Sequence, residues 1–295
     1  MQSQIWIPSK GRPGPYFSNV LQKAKIPHTI WIEPQEENAY RTATSNPLVT
    51  FKILEKNDQG IAYVRQTMLD ECRSKKMKVF IFDDDIKSFY EMLPTQNPES
   101  KTRKKKKVDP NLALQRSEEV FVSEGLAYGS FVFSIFAFCS KPGLAKNKAD
   151  TASIWLDGEK IPEDINYDKA SGREDLYFVT NLMLSGALCG KYFDIAVNHS
   201  PVANPGMKGG LVDWYADWQN VIVADNFWKE SLERKKEKML QELPTSVAAK
   251  LKDKLLYKSK TIKMGTRKGL IDTSPNWRNI AALRNAYFQG KLPPI

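Results

Sequence analysis

Three consecutive carboxylates, Asp83-Asp84-Asp85, directly follow the apolar run Val79-Phe80-Ile81-Phe82. At the end of a buried strand they repel one another, and burial without a counter-ion is costly. A hard divalent cation, Mg²⁺ or Mn²⁺, relieves the repulsion, because it takes oxygen ligands and keeps positions free for phosphate oxygens. A solvated acidic turn is the competing reading. The chain has two histidines. His28, after Pro27 at the head of an apolar stretch, reads as structural. His199 ends the stretch Ile195 to Asn198 and faces a loop rich in glycine and proline. A neutral imidazole there can complete a metal site begun by Asp83 and Asp85; an ordinary loop histidine is the alternative. Lys208, among the glycines of that loop, can meet a diphosphate as a point charge. Arg173-Glu174-Asp175 puts two acids at a helix start, where a carboxylate can act as general base toward a hydroxyl. The helix macrodipole favours acids in a first turn on structural grounds alone.

These groups need strands and helices to bring them together. Gln4 to Pro8 reads as a short buried strand, followed by a loop over 9–15 punctuated by glycine and proline. Phe17 to Lys25 has helical spacing, and His28 to Ile32 and Val49 to Leu54 are strand candidates, with a polar loop over 33–47. Ile61, Val64, Met68 and Leu69 share one face of a helix from Gly60 to Arg73. Lys78 to Phe82 is a continuous apolar strand ending at the triplet. Strands alternating with helices predict an α/β fold with a mostly parallel sheet and helices on both faces. In such sheets ligands bind beyond the carboxyl ends of the strands, where the triplet falls. Further on, Leu112 to Gly125 reads as a helix, Tyr128 to Ser140 as a long strand and Ile154 to Leu156 as a short one. A helix follows Ser171 through about Ser185, and Phe193 to Asn198 is a last short strand. Lys101 to Lys107 is a self-repelling basic run that predicts a mobile loop near 95–110. Helices are expected near 213–242 and 245–257.

Composition narrows the setting. The chain has 295 residues, 41% hydrophobic and 11% aromatic, which argues against disorder. No apolar run is long enough to span a membrane, and the first residues lack the pattern of a secretory signal. Cys72, Cys139 and Cys189 are scattered and suggest neither a disulfide framework nor a metal motif. A reducing, cytoplasmic setting is therefore expected. The net charge of +10 is concentrated at one end: residues 229–295 hold 16 Lys and Arg against 6 Asp and Glu. A basic region on a neutral body suggests a polyanionic partner, most often nucleic acid; a solvated charged helical end is the plainer reading.

Taken together, these motifs resemble those of the GT-A glycosyltransferases. Ile7-Pro8-Ser9-Lys10-Gly11-Arg12-Pro13 is similar to the opening element of the TET/JBP-associated glycosyltransferases, a mainly phage family that includes relatives of the base J glucosyltransferase. The resemblance implies Pro8, Ser9 and Arg12 as contacts to the donor nucleotide, and Arg65 as a further one. It makes Phe82-Asp83-Asp84-Asp85 similar to a metal-binding D-x-D signature, with Asp83 and Asp84 near the donor and Asp83 and Asp85 on the metal, where His199 is the further ligand expected from its own position. Gly172-Arg173-Glu174-Asp175 resembles an R-E-D element whose Asp is the expected base, beside Glu174. The implied donor is a nucleotide sugar, UDP-glucose above all, and the implied acceptor is DNA carrying a hydroxymethylpyrimidine. Residues 1–212 would form the catalytic domain and 213–295 a basic, mainly helical region. Competing expectations are a polysaccharide or protein acceptor, a nucleotidyltransferase, and a DNA-binding protein with a non-catalytic acidic turn.

Overall fold

The computed structural model describes residues 1–95, 102–138, 140–170, 172–199, 218–264 and 267–290. The first third alternates strand and helix: β1 (Gln4–Pro8), α1 (Tyr16–Lys23), β2 (His28–Ile32), α2 (Glu37–Ala43), β3 (Val49–Ile53), α3 (Gly60–Ser74) and β4 (Lys78–Phe82). The middle holds β5 (Ile86–Met92), β6 (Lys105–Val108), α4 (Pro110–Ser123), β7 (Tyr128–Phe133), β8 (Leu144–Lys146), β9 (Ser153–Asp157), α5 (Glu174–Leu184) and β10 (Cys189–His199). The last part contains α6 (Trp218–Gln241), α7 (Thr245–Leu251), the hairpin β11 (Tyr257–Met264) and β12 (Arg267–Pro275), and α8 (Trp277–Gln289).

The fold is α/β. Among the described residues, one ten-stranded sheet runs β3-β2-β1-β4-β9-β7-β10-β5-β6, with β8 added beside β10. Parallel pairing joins β3, β2, β1 and β4, where helices make the crossovers. Beyond β4 the pairing turns antiparallel at β9, which lies between β4 and β7. It is parallel again between β7 and β10, then antiparallel out to β6.

Helices cover both faces. Phe17 and Leu21 of α1 and Leu114 and Phe121 of α4 pack with Phe80, Phe82, Phe89 and Phe131 on one side. The other side collects Met68 and Leu69 of α3, Phe178 and Leu182 of α5, Trp228 and Leu232 of α6 and Leu283 of α8 around Trp6 and Tyr128. The C-terminal helices thus complete the core under the sheet. Burying such aromatic and aliphatic side chains stabilises the fold by about 1.5–3 kcal/mol each. No helix among the described residues is long and apolar enough to cross a membrane.

Several elements differ from the sequence reading. The basic run is not simply a mobile loop: Lys105–Val108 pairs antiparallel with β5 at the sheet edge. The buried Arg103 guanidinium pins this segment by donating to the carbonyls of Met92 and Phe193 and to Asp194. Lysines on an edge strand discourage further strand addition, which lets like charges sit on an ordered strand. Residues 96–101 lie outside the described residues. The polar stretch 33–47 contains a 3₁₀ turn and α2, whose Tyr40 is buried. β7 ends at Phe133, whereas β10 runs for 11 residues because it serves three partners. α7 stops at Leu251 and the chain enters the hairpin, which the sequence reading did not anticipate.

His28 is structural, as expected. Its Nδ1–H donates to the Ile26 carbonyl and Nε2 accepts from Ser18, and burial lowers its pKa. A depressed pKa means that the unfolded chain takes the proton more readily, so this contribution is present above about pH 6.5 and lost as pH falls through the folded value. Replacing His28 with Gln should flatten that acid limb in urea midpoints measured against pH. A second constraint is Gly158: a Cβ there would stand 2.2 Å from the Cys72 carbonyl oxygen at the end of α3. Gly158→Ala should cost about 1–3 kcal/mol or more of stability by urea denaturation, because backbone has to give way.

Candidate active site

Strand register assembles the first cluster. The acidic triplet fills the tight link between β4 and β5, and β10 runs antiparallel to β5 with His199 opposite Ile86. That register sets the imidazole beside Asp85, with Nδ1 3.2 Å from Oδ1. β9 pairs with β4 so that Ser153 lies opposite Phe82. Ser153 Oγ then meets His199 Nε2 at 3.1 Å and holds the other side of the ring. The Phe133 ring packs edge-on against the imidazole, 4.5 Å between centroids. Asp83, Asp85 and His199 offer ligand atoms that all lie within 4.8 Å of one another. Two carboxylate oxygens and one imidazole nitrogen make a donor set that fits Mn²⁺ or Mg²⁺ and leaves positions for further oxygen ligands.

The second cluster is built on Arg65. On α3 it shares the buried stripe with Met68, Leu69 and Cys72, an unusual place for a guanidinium. Across the sheet end it meets the start of α5: Nη1 donates to Glu174 Oε1 at 2.6 Å and stands 3.9 Å from Asp175 Oδ2. Its Nη2 lies 3.6 Å from Asp83 Oδ1. One buried cation therefore faces acids from three positions, and the Arg65 pKa rises despite burial because Glu174, Asp83 and Asp175 surround it. Burial pushes Asp83 up to about 6, against the opposing pull of Arg65 and His199. The side chain keeps 35% of its surface exposed, so water tempers that shift. Burial also raises Glu174, while Arg65 opposes the rise.

The turn into α5 is specialised. Arg173 adopts a left-handed conformation, φ 54°, which β-carbon-bearing residues seldom take. Its Nε donates to Asp225 of α6 at 2.9 Å, anchoring the turn from outside. Glu174 and Asp175 then enter the first helical turn with different fates. The Glu174 side chain is 4% exposed and spent on Arg65, whereas that of Asp175 is 27% exposed.

The triplet's middle residue closes the first loop. Asp84 accepts from Ser9 Oγ at 2.7 Å and from Arg12 Nη1 at 2.5 Å, and its carbonyl receives Phe17 N–H. Ser9 Oγ also meets the Tyr40 hydroxyl at 2.8 Å, and burial raises Tyr40 to about 12. Pro8 is buried where β1 ends, and Lys10 beyond it bridges Glu33 and Asp58.

Structure thus unites Asp83, Asp85 and His199, and joins them through Arg65 to Glu174 and Asp175. Ser9, Arg12 and Asp84 form a neighbouring clamp. Lys208, and with it the loop 201–210, lies outside the described residues. Of the aromatic residues that could have held a ligand, Trp228 is core, its indole N–H donating to Thr180. Trp214, Tyr215 and the side chain of Trp218 lie outside the described residues. Sequence reasoning missed Ser153 and the counter-ion role of Arg65. For Ser153 there was no local signal. For Arg65 the signal was a charge on the apolar stripe of an amphipathic helix.

No family model matches this sequence, and no curated protein sequence matches it. Among solved structures, the chain is similar to the mannosyltransferase PcManGT from Pyrobaculum calidifontis in complex with GDP-Man and Mn²⁺, at 12% identity and a TM-score of 0.42. That match covers 70% of this chain and 58% of the other. It is similar also to GalNAc-T7 with UDP, GalNAc and Mn²⁺, at 11% identity and a TM-score of 0.40, over 85% of this chain and 53% of that one. The chain thus spans little more than half the length of either.

Arg65→Met should cost about 3–5 kcal/mol in urea denaturation, because Glu174 is left as an uncompensated buried charge. The double variant Arg65→Met with Glu174→Gln should recover a good part of that loss. Equal losses in the single and double variants would show that the charge pairing is not what Arg65 contributes.

Proposed function

We propose that this chain is a metal-dependent glycosyltransferase of the GT-A type. In this reading it transfers a sugar, glucose from UDP-glucose, to the hydroxymethyl group of a hydroxymethylpyrimidine in DNA. The observation that carries the proposal is the convergence of Asp83, Asp85 and His199 within 4.8 Å at the strand ends, with Asp175 drawn toward them by Arg65. Asp83, Asp85 and His199 are the residues that would hold a divalent cation. Such an ion, when bound, neutralises charge gathering on a diphosphate leaving group.

Asp175 is assigned as general base, since it is the more exposed of the two acids at the α5 start. It takes the proton of the acceptor hydroxyl as that oxygen bonds to the anomeric carbon. The bond from anomeric carbon to diphosphate oxygen breaks, and its electron pair leaves with the nucleoside diphosphate. A single displacement of this kind inverts the anomeric centre. Glu174 positions the base through Arg65. Arg12, 28% exposed at its side chain, is assigned to the donor side with Lys208, while Ser9 and Asp84 hold the loop beneath. The DNA acceptor draws support from the basic surplus of residues 229–295 and from the exposed lysines 104–107.

The test is transfer of tritiated sugar from UDP-glucose, with Mn²⁺, to DNA containing hydroxymethylcytosine or hydroxymethyluracil. Label should reach modified DNA only, vanish with EDTA, and fall by about 10²–10³-fold in Asp85→Ala, the scale of losing one principal electrostatic contact. Full activity in EDTA would overturn the metal assignment, and label on unmodified DNA the acceptor.

A further inference from the structure

A cavity of about 270 Å³ is walled by Phe133, Phe136, Leu176 and Trp277, and so reaches α5 one residue from the candidate base. Leu176 follows Asp175 in the chain, and its N–H donates to Asp175 Oδ1 at 2.7 Å. Phe133 packs against His199. One wall therefore belongs to the helix of the base and another to the ring that packs against His199. Lys191 and Asp150 also line the cavity, paired at 2.5 Å with side chains only 14% and 18% exposed, so one wall is a mutually satisfied charged pair. Aromatic and aliphatic walls with a small polar patch suit a planar ring that stacks and presents one hydrogen-bonding edge. The volume lies just below the roughly 300 Å³ where small-molecule sites begin, which favours a single ring over an extended chain of sugars. At the mouth, Phe136 is 66% exposed, an aromatic left facing water.

Lysines extend from this cavity along the sheet. Lys191 and Lys148 lie over the Phe193 ring at 5.6 and 5.5 Å, and Lys105 lies over Tyr90 and Phe138 at 4.6 and 5.4 Å. These three aromatics belong to one apolar cluster. Packed over this cluster, the lysines give a line of positive charge of the kind that follows a nucleic-acid backbone.

We propose that the cavity seats the acceptor's base, flipped or single-stranded, and that Lys105 and Lys148 carry the flanking phosphates. This rests on the glycosyltransferase reading for the reaction, but the binding claim can be tested without it. The probe is a fluorescent single-stranded oligonucleotide carrying one hydroxymethyluracil, titrated with the full chain by anisotropy with no donor present. Phe136→Ser should weaken binding at least tenfold, and Lys105→Glu with Lys148→Glu should weaken it and reduce its salt dependence. Ile135→Ser, on the same loop and equally exposed but outside the cavity, should bind as wild type. Metal-dependent UDP binding should be unchanged in all three. Loss of affinity in Ile135→Ser equal to that in Phe136→Ser, or wild-type binding by Phe136→Ser, would overturn the proposal. If wild type transfers no sugar yet its oligonucleotide binding still depends on Phe136, the cavity assignment stands and the reaction assigned to the chain fails.

Discussion

A single buried guanidinium sets the terms for the candidate site. Arg65 stands where acids from the end of β4 and the start of α5 converge, and without it the buried Glu174 would be an uncompensated charge. Its position on the apolar stripe of α3 fixes it by packing, so the acids are arranged around it. The pairing also divides labour between neighbours: Glu174 is consumed by the ion pair, and Asp175 keeps access to water. Arg173, in its left-handed turn, sets where that division falls along the chain.

The sheet supplies the second constraint. The carboxyl ends of β4 and β10 fall at the same sheet edge, because both strands run antiparallel to β9, β10 by way of its parallel partner β7. Running β10 antiparallel beside β5 brings His199 back to the β4–β5 link, and β9, antiparallel beside β4, delivers Ser153 to the same place. The antiparallel pairs thus set the register that joins three separated segments into one cluster. The same arrangement places Phe133 of β7 under the imidazole, so the cavity wall and the metal-capable cluster share a side chain.

The acidic triplet has a divided character. Its outer members face the cluster, while the middle one ties down the loop after β1 through Ser9 and Arg12. The tight turn between β4 and β5 directs neighbours in sequence to opposite sides, so they take different tasks. The loop is held by hydrogen bonds from Ser9 and Arg12 to that carboxylate.

Much of this was legible in the chain itself. Alternating apolar runs and amphipathic stretches up to Phe82 determined the parallel half of the sheet, because local periodicity reports which face is buried. Residue type and position at a strand end singled out Asp83, Asp85, His199 and the acids at 174 and 175. Pairing partners were another matter. Strand register depends on contacts between residues far apart in sequence, 46 positions for Ser153 and His199 and 114 for His199 and Asp85, and no local pattern encodes them. Only the tertiary structure therefore brought His199 to Asp85 and Ser153 to His199, turned the lysine run near 105 into an edge strand held by Arg103, and made Arg65 the counter-ion of the site. Charge and periodicity are properties of a segment, whereas a shared counter-ion exists only once the segments meet.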